Sequence, residues 1–458
     1  MSRDCPLNQQ LMIHQSAEGD VKRLSTESAV IDPPGATTIE NRRRSPAPRP
    51  VTPRPHRALD PTSSSGGHRF SRAHFEFTLD LYGALVRESA DLRANVLFSP
   101  VSVAALLYPL LLSDDTELSE QVRKILRYSN MTISEISKGH TAMMDNFEET
   151  YYHDKLHLAH SLFVQAGSPS AAFVREQYKG AAQEVDFRGN ATGVLKGVNR
   201  WVLSQTDGRV AGTVTEAVAG EVAEQREAVE GLAVVAVYYS GQWLHQFQPN
   251  LTFDKGLFYP SSESRFEVPM MVGKLELPLG YSPEMEVRIL ELPYASRRVS
   301  MFVLLPDDPD FGLARLEANL PPTPSKALFS TLQGGYCDER VNLRLPRFRL
   351  GVSPPVQSAL ISLGLRQVFP GAAPSEAASG PRLLLHDTLH KAVLEVREAG
   401  EEATTPSSNG GEQVGTFGDK YFEVDHPFLI LVWDYIASSV VYMGRIVTPE
   451  PLGVGDAS

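Results

Sequence analysis

The stretch GEEATTPSSNGGEQVGTFGDK, Gly400 to Lys420, decides how the chain is read. Its glycines, its proline and its scattered Ser, Thr and Asn make it too polar and too pliant for a conventional strand or helix. Its flanks have the opposite character. HKAVLEVRE (His390 to Glu398) alternates apolar residues at Ala392, Leu394 and Val396, the pattern of a half-buried strand. FEVDHPFLILVWD (Phe422 to Asp434) and ASSVVYMGRIVTPEP (Ala437 to Pro451) are strongly apolar runs separated by a turn, suited to a buried hairpin. A long polar loop held between core strands points to function, because connections of this length are uncommon in compact domains.

Together these marks resemble the serpin family. His390, Lys391 and Ala392 precede a Glu-rich hinge of small residues, followed by Phe422, Asp425, His426, Pro427 and Phe428, then Gly444, Arg445 and Pro449. The resemblance extends over residues 74 to 450. It implies an α+β serpin fold with three β-sheets (a large central sheet A, sheets B and C), eight to nine helices and an exposed reactive-centre loop. LELPY followed by SMF resembles the plasminogen-activator-inhibitor branch, clade E.

Composition fits one large mixed domain. With 42% hydrophobic and 21% charged residues the chain can build a sizeable core, and a net charge of −12 argues against general nucleic-acid binding. The two cysteines, Cys5 and Cys337, define no disulfide framework. No run of 18 apolar residues exists to span a membrane. Residues 1 to 70 read as a disordered extension rich in Arg, Pro and Ser, residues 71 to 450 as the serpin domain, and 451 to 458 as a tail. Met1 to Gly19 lacks an apolar signal core, yet sequons stand at Asn130, Asn190 and Asn250. With the habit of the resembled family, these make a secreted, extracellular glycoprotein the expectation.

Along the chain, Phe75, Leu79, Tyr82, Leu85 and Val86 follow helical spacing. NVLFSPVSVAALL (Asn95 to Leu107) reads as a strand entering a helix, with Ser99 as N-cap and Pro100 in the first turn; Pro109 then ends or kinks that helix. Arg123, Lys124 and Arg127 share one predicted helix, where the resemblance suggests a thin glycosaminoglycan contact and a solvated face is the plainer reading. His153, His157 and His160 would share a face on a helix, but the resemblance makes this segment lead into a strand, where His157 and His160 point apart, so no metal site is expected. GLAVVAVYYSGQW (Gly231 to Trp243) is a strand buried on both faces, preceded by an acidic, helix-like insert around Ala219 to Gly231. The resemblance places Ser99, Ser102, His390 and Val235 in the shutter beneath the main sheet, with Val235 where the family usually carries Asn, and Trp243 at the breach where insertion begins. Losing that amide should leave His390 with fewer partners.

The chain has no GxSxG, HExxH, GxxxxGK or GxGxxG in a supporting context, so it is not read as an enzyme and needs no cofactor. The resemblance implies a monomeric inhibitor whose loop, once cut by a serine protease, inserts as a new central strand. Its hinge reads Glu398, Ala399, Gly400, Glu401, Glu402, Ala403, Thr404, Thr405, Pro406. Ala403, Thr404 and Thr405 suit burial. Glu401 at the first inward position and Pro406 in a central strand oppose it. A non-inhibitory carrier, chaperone or scaffold is therefore the alternative. Counting forward from Glu398 puts the reactive bond after Val414 and counting back from Pro427 puts it after Thr416, so Val414, Gly415, Thr416 and Phe417 are the candidates. The segment holds no basic residue between Arg397 and Lys420, so a protease with a small apolar or aromatic pocket fits better than a trypsin-like one.

Overall fold

The computed structural model describes residues 66–91, 93–148, 154–178, 182–320, 337–369, 383–398 and 420–452. The chain divides into the units Met1–Leu59 and Asp60–Ser458, and every described residue lies in the second. Its helices are α1 (Gly66–Glu88), α2 (Pro100–Leu111), α3 (Thr116–Ile125), α4 (Ile133–Glu148), α5 (Pro169–Gln177), α6 (Phe187–Gln205), α7 (Glu216–Glu224), α8 (Gly312–Asn319) and α9 (Val356–Ser362).

The strands are β1 (Val96–Phe98), β2 (Asp154–Gln165), β3 (Ala182–Val185), β4 (Gly231–Gly241), β5 (Phe253–Ser261), β6 (Ser264–Ser282), β7 (Val287–Pro293), β8 (Val299–Pro306), β9 (Cys337–Pro346), β10 (Phe348–Val352), β11 (Asp387–Val396), β12 (Lys420–Glu423), β13 (Phe428–Asp434) and β14 (Ser439–Ile446). One five-stranded sheet runs β10-β11-β4-β2-β3. The remaining strands form a nine-stranded path, β1-β14-β13-β8-β7-β6-β9-β12, with β5 also on β6. The resemblance implies three sheets, and the pairing explains how two of them join. The 19-residue β6 pairs with β5 and β9 along most of its length and with β7 at its end, so the smaller sheets share one strand.

Burial follows the apolar patterns. α1 buries Phe75, Leu79, Tyr82 and Leu85 as the helical spacing predicts. It begins at Gly66, however, and Phe70 is buried against Tyr128, so the domain starts inside the segment assigned to the extension. At the other end, Pro451 bridges Phe348 and Leu452 is buried, so the first two residues assigned to the tail pack on the fold. α2 continues through Pro109 to Leu111 instead of ending there. A proline in the last turns forfeits its own backbone bond but leaves the following N–H groups in place; that of Leu112 still reaches the Pro109 carbonyl. β11 is buried on both faces rather than half-buried, because β10 and β4 flank it and helices or sheet cover both sides.

The five-stranded sheet separates two cores. Behind it, Val235, Val237, Tyr239, Ala392 and Leu394 join the main core with α1, α2 and the nine-stranded sheet. In front, Val234, Ala236, Tyr238 and Val393 pack against Leu195, Val198 and Val202 of α6 and Val222 of α7. Only the first part of the acidic insert is helical: α7, N-capped by Thr215, ends at Glu224, and a turn leads from it into β4 at Gly231.

Candidate functional site

The site is the seam between β4 and β11. These strands pair in parallel from Asp387↔Leu232 to Leu394↔Tyr239, while β2–β4 and β10–β11 on either side are antiparallel. β4 is apolar throughout, as a strand covered on both faces must be. A parallel ladder is slightly less stable per residue than an antiparallel one, so the seam is the weaker line of the sheet's centre.

Midway along the seam sit Ser99, Ser102, His390 and Val235, all buried. Ser99 caps α2: its hydroxyl accepts from the Ser102 backbone N–H at 3.4 Å and lies 3.0 Å from the Ser102 hydroxyl. Ser99 N–H in turn donates to His390 Nε2 at 3.1 Å. Capping and network membership are one geometry. His390 faces Val235 across the seam, and its Nδ1 is buried with no hydrogen-bond partner among the described residues. Val235, standing where the resemblance expects an amide, offers this nitrogen no acceptor. Burial pulls the His390 pKa down to about 3, against a smaller upward effect of the Ser99 backbone, so the ring is neutral at physiological pH.

Beyond the C-terminal end of the seam the loop is rooted. Trp243 follows β4, stacks on Tyr294 with ring centroids 4.5 Å apart, and donates from Nε1 to the Arg397 carbonyl at 2.6 Å. Glu398 is held from three sides. Arg347 Nη1 donates to its carboxylate at 2.9 Å, the Thr252 hydroxyl donates to the same oxygen at 2.8 Å, and Phe247 N–H donates to its carbonyl at 3.1 Å. Both charged side chains are about nine-tenths buried, with exposures of 11% for Arg347 and 10% for Glu398. Beside them, buried Glu395 pairs with Arg349 at 2.9 Å and Arg397 at 2.7 Å, and accepts from Tyr238 Oη at 3.2 Å across the seam.

Sequence reasoning named Glu398 and Trp243 but missed Arg347, Thr252 and Glu395. Arg347 carried no signal of its own: it is one of three arginines in LRLPRFRL (Leu343 to Leu350), and only the fold shows that it, and not Arg344 or Arg349, is the one buried.

Gly400, Glu401, Ala403, Thr404, Thr405 and Pro406 lie outside the described residues, as do Val414, Gly415, Thr416 and Phe417. The basic trio is dispersed. Arg123 donates to the Tyr128 and Met131 carbonyls, and Arg127, in a left-handed conformation after α3, turns back to Asp80 of α1 at 2.5 and 2.9 Å. Lys124 and Arg127 are exposed, but Arg127 is paired with Asp80 and Arg123 is turned onto carbonyls, so the three do not form one free cationic patch. His153 lies outside the described residues; His157 and His160 occupy β2 opposite Tyr238 and Val235, on opposite faces. Asn130, Asn190 and Asn250 are all exposed. No helix among the described residues is long and apolar enough to cross a membrane.

The family model described as serpin (serine protease inhibitor) matches residues 72–449. The chain belongs to the serpin family. It is 29% identical to the leukocyte elastase inhibitor of Sus scrofa over 83% of this chain and all of that protein. It is 27% identical to Serpin B3 of Homo sapiens over 83% of this chain and 99% of that one. It is also 30% identical to Iris of Ixodes ricinus over 81% and 96%. The leukocyte elastase inhibitor and Serpin B3 are of the clade B type, which corrects the clade E resemblance: LELPY and SMF are core strand segments whose apolar residues report burial more than branch.

Among solved structures, uncleaved ovalbumin matches with TM-score 0.69 at 24% identity, covering 83% of this chain and all of that one. A human thyroxine-binding globulin complex matches with TM-score 0.68 at 22%, covering 84% of this chain and all of that one. The serpin fold is thus shared, and the family is one of inhibitors and binding proteins rather than enzymes.

Proposed function

We propose that this serpin inhibits a serine protease by offering residues 399 to 419 as bait and inserting the cut segment between β4 and β11. The parallel pairing of those two strands carries the reading. A segment that folds back after β11 runs antiparallel to it, and therefore antiparallel to β4 as well. Insertion exchanges one parallel ladder for two antiparallel ones, each new hydrogen bond contributing about 0.5–1.5 kcal/mol net. The root at Glu398 fixes where the new strand begins.

With Val414 to Phe417 spanning the candidate reactive bonds and no basic residue in reach, the favoured target has a small apolar or aromatic pocket. Relatives named as leukocyte elastase inhibitors accord with this. Exposure of all three sequons supports secretion as a glycoprotein. A glycosaminoglycan contact is not part of the proposal, since Arg123 and Arg127 are committed to carbonyls and to Asp80.

A second reading, a non-inhibitory carrier or scaffold, draws on Glu401 and Pro406. Burying an unpaired carboxylate costs several kcal/mol, and proline is nearly excluded from central strands. Incubation with elastase-type and chymotrypsin-type enzymes separates the two. An SDS-resistant complex is expected, and clean cleavage with no complex from either enzyme would reject inhibition.

A further inference from the structure

We propose that the exposed strip formed by Leu251, Phe253, Arg344, Tyr421 and Glu423 is a docking surface for the body of the protease that cuts residues 399 to 419. The inference deepens the reading above and rests on it. It starts from exposed apolar surface: Tyr421 is 73% exposed, Leu251 45%, Phe253 41% and Leu257 39%. Such residues matter only when they cluster, and here the pairing clusters them. Tyr421 and Glu423 point outward from β12, with Phe422 buried between them. Glu423 lies opposite Arg344 of β9 and pairs with it at 2.7 Å. The Arg344 guanidinium in turn covers the Phe253 ring at 5.9 Å. The strip therefore runs from β12 across β9 and β6 to β5.

Its position identifies the occupant. The described chain leaves at Glu398 and returns at Lys420, and the strip connects those two points. Thr252, next to Phe253, holds Glu398, and Asp254 lies 3.8 Å from Arg347; at the other end Tyr421 follows Lys420 directly. Val414 is six residues before Lys420, a reach of at most about 20 Å when extended. A folded domain about 30 Å across clamped on any candidate bond overhangs this face.

Most charges on the face stand in pairs, Arg344 with Glu423, Arg340 with Glu276 at 3.7 Å, and Lys255 with Glu267 at 3.5 Å, while exposed Lys420 and Asp254, of opposite sign, flank the strip. Between them the surface to recognise is aromatic and aliphatic. The strip suits a protease whose surface beside the cleft is apolar and near neutral, and its contribution should resist salt.

The test is Phe253→Ala with Tyr421→Ala, assayed with an elastase-type serine protease. The readout is the second-order rate at which the serpin is consumed, as complex or as cleaved product. We expect a ~5- to 20-fold fall, the loss of one or two moderate interface anchors, equal at low and high ionic strength. The partition between complex and cleaved product stays unchanged. Phe311→Ala, at a 68% exposed residue before α8, should leave the rate as it was. Tyr421→Ser alone, at the most exposed of these positions, should give part of the loss and guards against misfolding of the double variant. Consumption of the double variant within twofold of the parent, or a loss abolished by salt, overturns the strip whichever product forms. Cleavage without stable complex rejects inhibition yet still reads the strip, because the cleavage rate reports docking. Failure of the enzyme to cut at all rejects both.

Discussion

Placing an amide at position 235 probes the seam most closely. His390 Nε2 accepts the Ser99 N–H, so the neutral ring carries its proton on Nδ1, and that N–H has no partner among the described residues. An orphaned buried donor costs about 1–3 kcal/mol. Val235 sits opposite His390 on the adjacent strand, facing the same core. Val235→Asn offers a carbonyl to the orphan but forfeits a fully buried valine, worth about 1.5–3 kcal/mol. The two effects nearly cancel, so the single substitution should move stability by no more than about 1.5 kcal/mol in either direction. A double-mutant cycle with His390→Leu separates them, and we expect a favourable coupling of about 1–2 kcal/mol from urea titrations at neutral pH. Because the new bond would cross from β4 to β11, the variant should also insert its cut loop more slowly and yield more cleaved product per complex. Zero coupling, or a loss above about 3 kcal/mol for Val235→Asn alone, would show that His390 does not reach across the seam.

Acid should weaken the fold through its buried histidines. Burial holds His74 and His140 near 4 and His390 near 3, all below the ordinary 6.5, and His160 and His74 reinforce the effect at His140. The unfolded chain binds these protons first, so stability is complete above pH 6.5 and falls as pH drops toward 4. The slope should approach about 4 kcal/mol per pH unit at its steepest, and a flat urea midpoint between pH 6.5 and 5 would contradict it. Glu398→Gln should destabilise by about 3 kcal/mol, since it leaves the buried Arg347 charge with the Leu452 carbonyl at 3.1 Å and no carboxylate nearer than Asp254 at 3.8 Å; a change under 0.5 kcal/mol in denaturant titration would deny the root its role. Glu401→Thr combined with Pro406→Ala removes an inward carboxylate and restores a ladder donor. This pair should raise the fraction of protease trapped on SDS gels, and identical partitioning would move the limit from the hinge to the shutter.

Much of this was legible in the chain because apolar patterning carries strand identity. The uninterrupted run of β4 and the hairpin of β13 and β14 read directly as buried strands. The Ser99, Ser102 and His390 cluster was legible only through family resemblance, since three polar residues far apart in sequence carry no local signal. That His390 would have fewer partners was legible from one departure, Val235. Other features depend on tertiary geometry that spacing does not encode. Arg127 looked like a solvated or anion-binding charge, but a left-handed backbone swings it onto Asp80. The start of α1 at Gly66 was hidden because Phe70 is a lone apolar residue at the edge of a polar segment. The Arg347–Glu398 pair joins two segments 51 residues apart and shows only once both are placed.

The measurement closest to the central claim compares melting of the intact serpin with the same protein nicked once near Val414. If the cut segment enters between β4 and β11, the parallel seam becomes two antiparallel ladders and Tm rises steeply. A Tm unchanged by the nick would mean that no strand inserts, and the inhibitory account would fall.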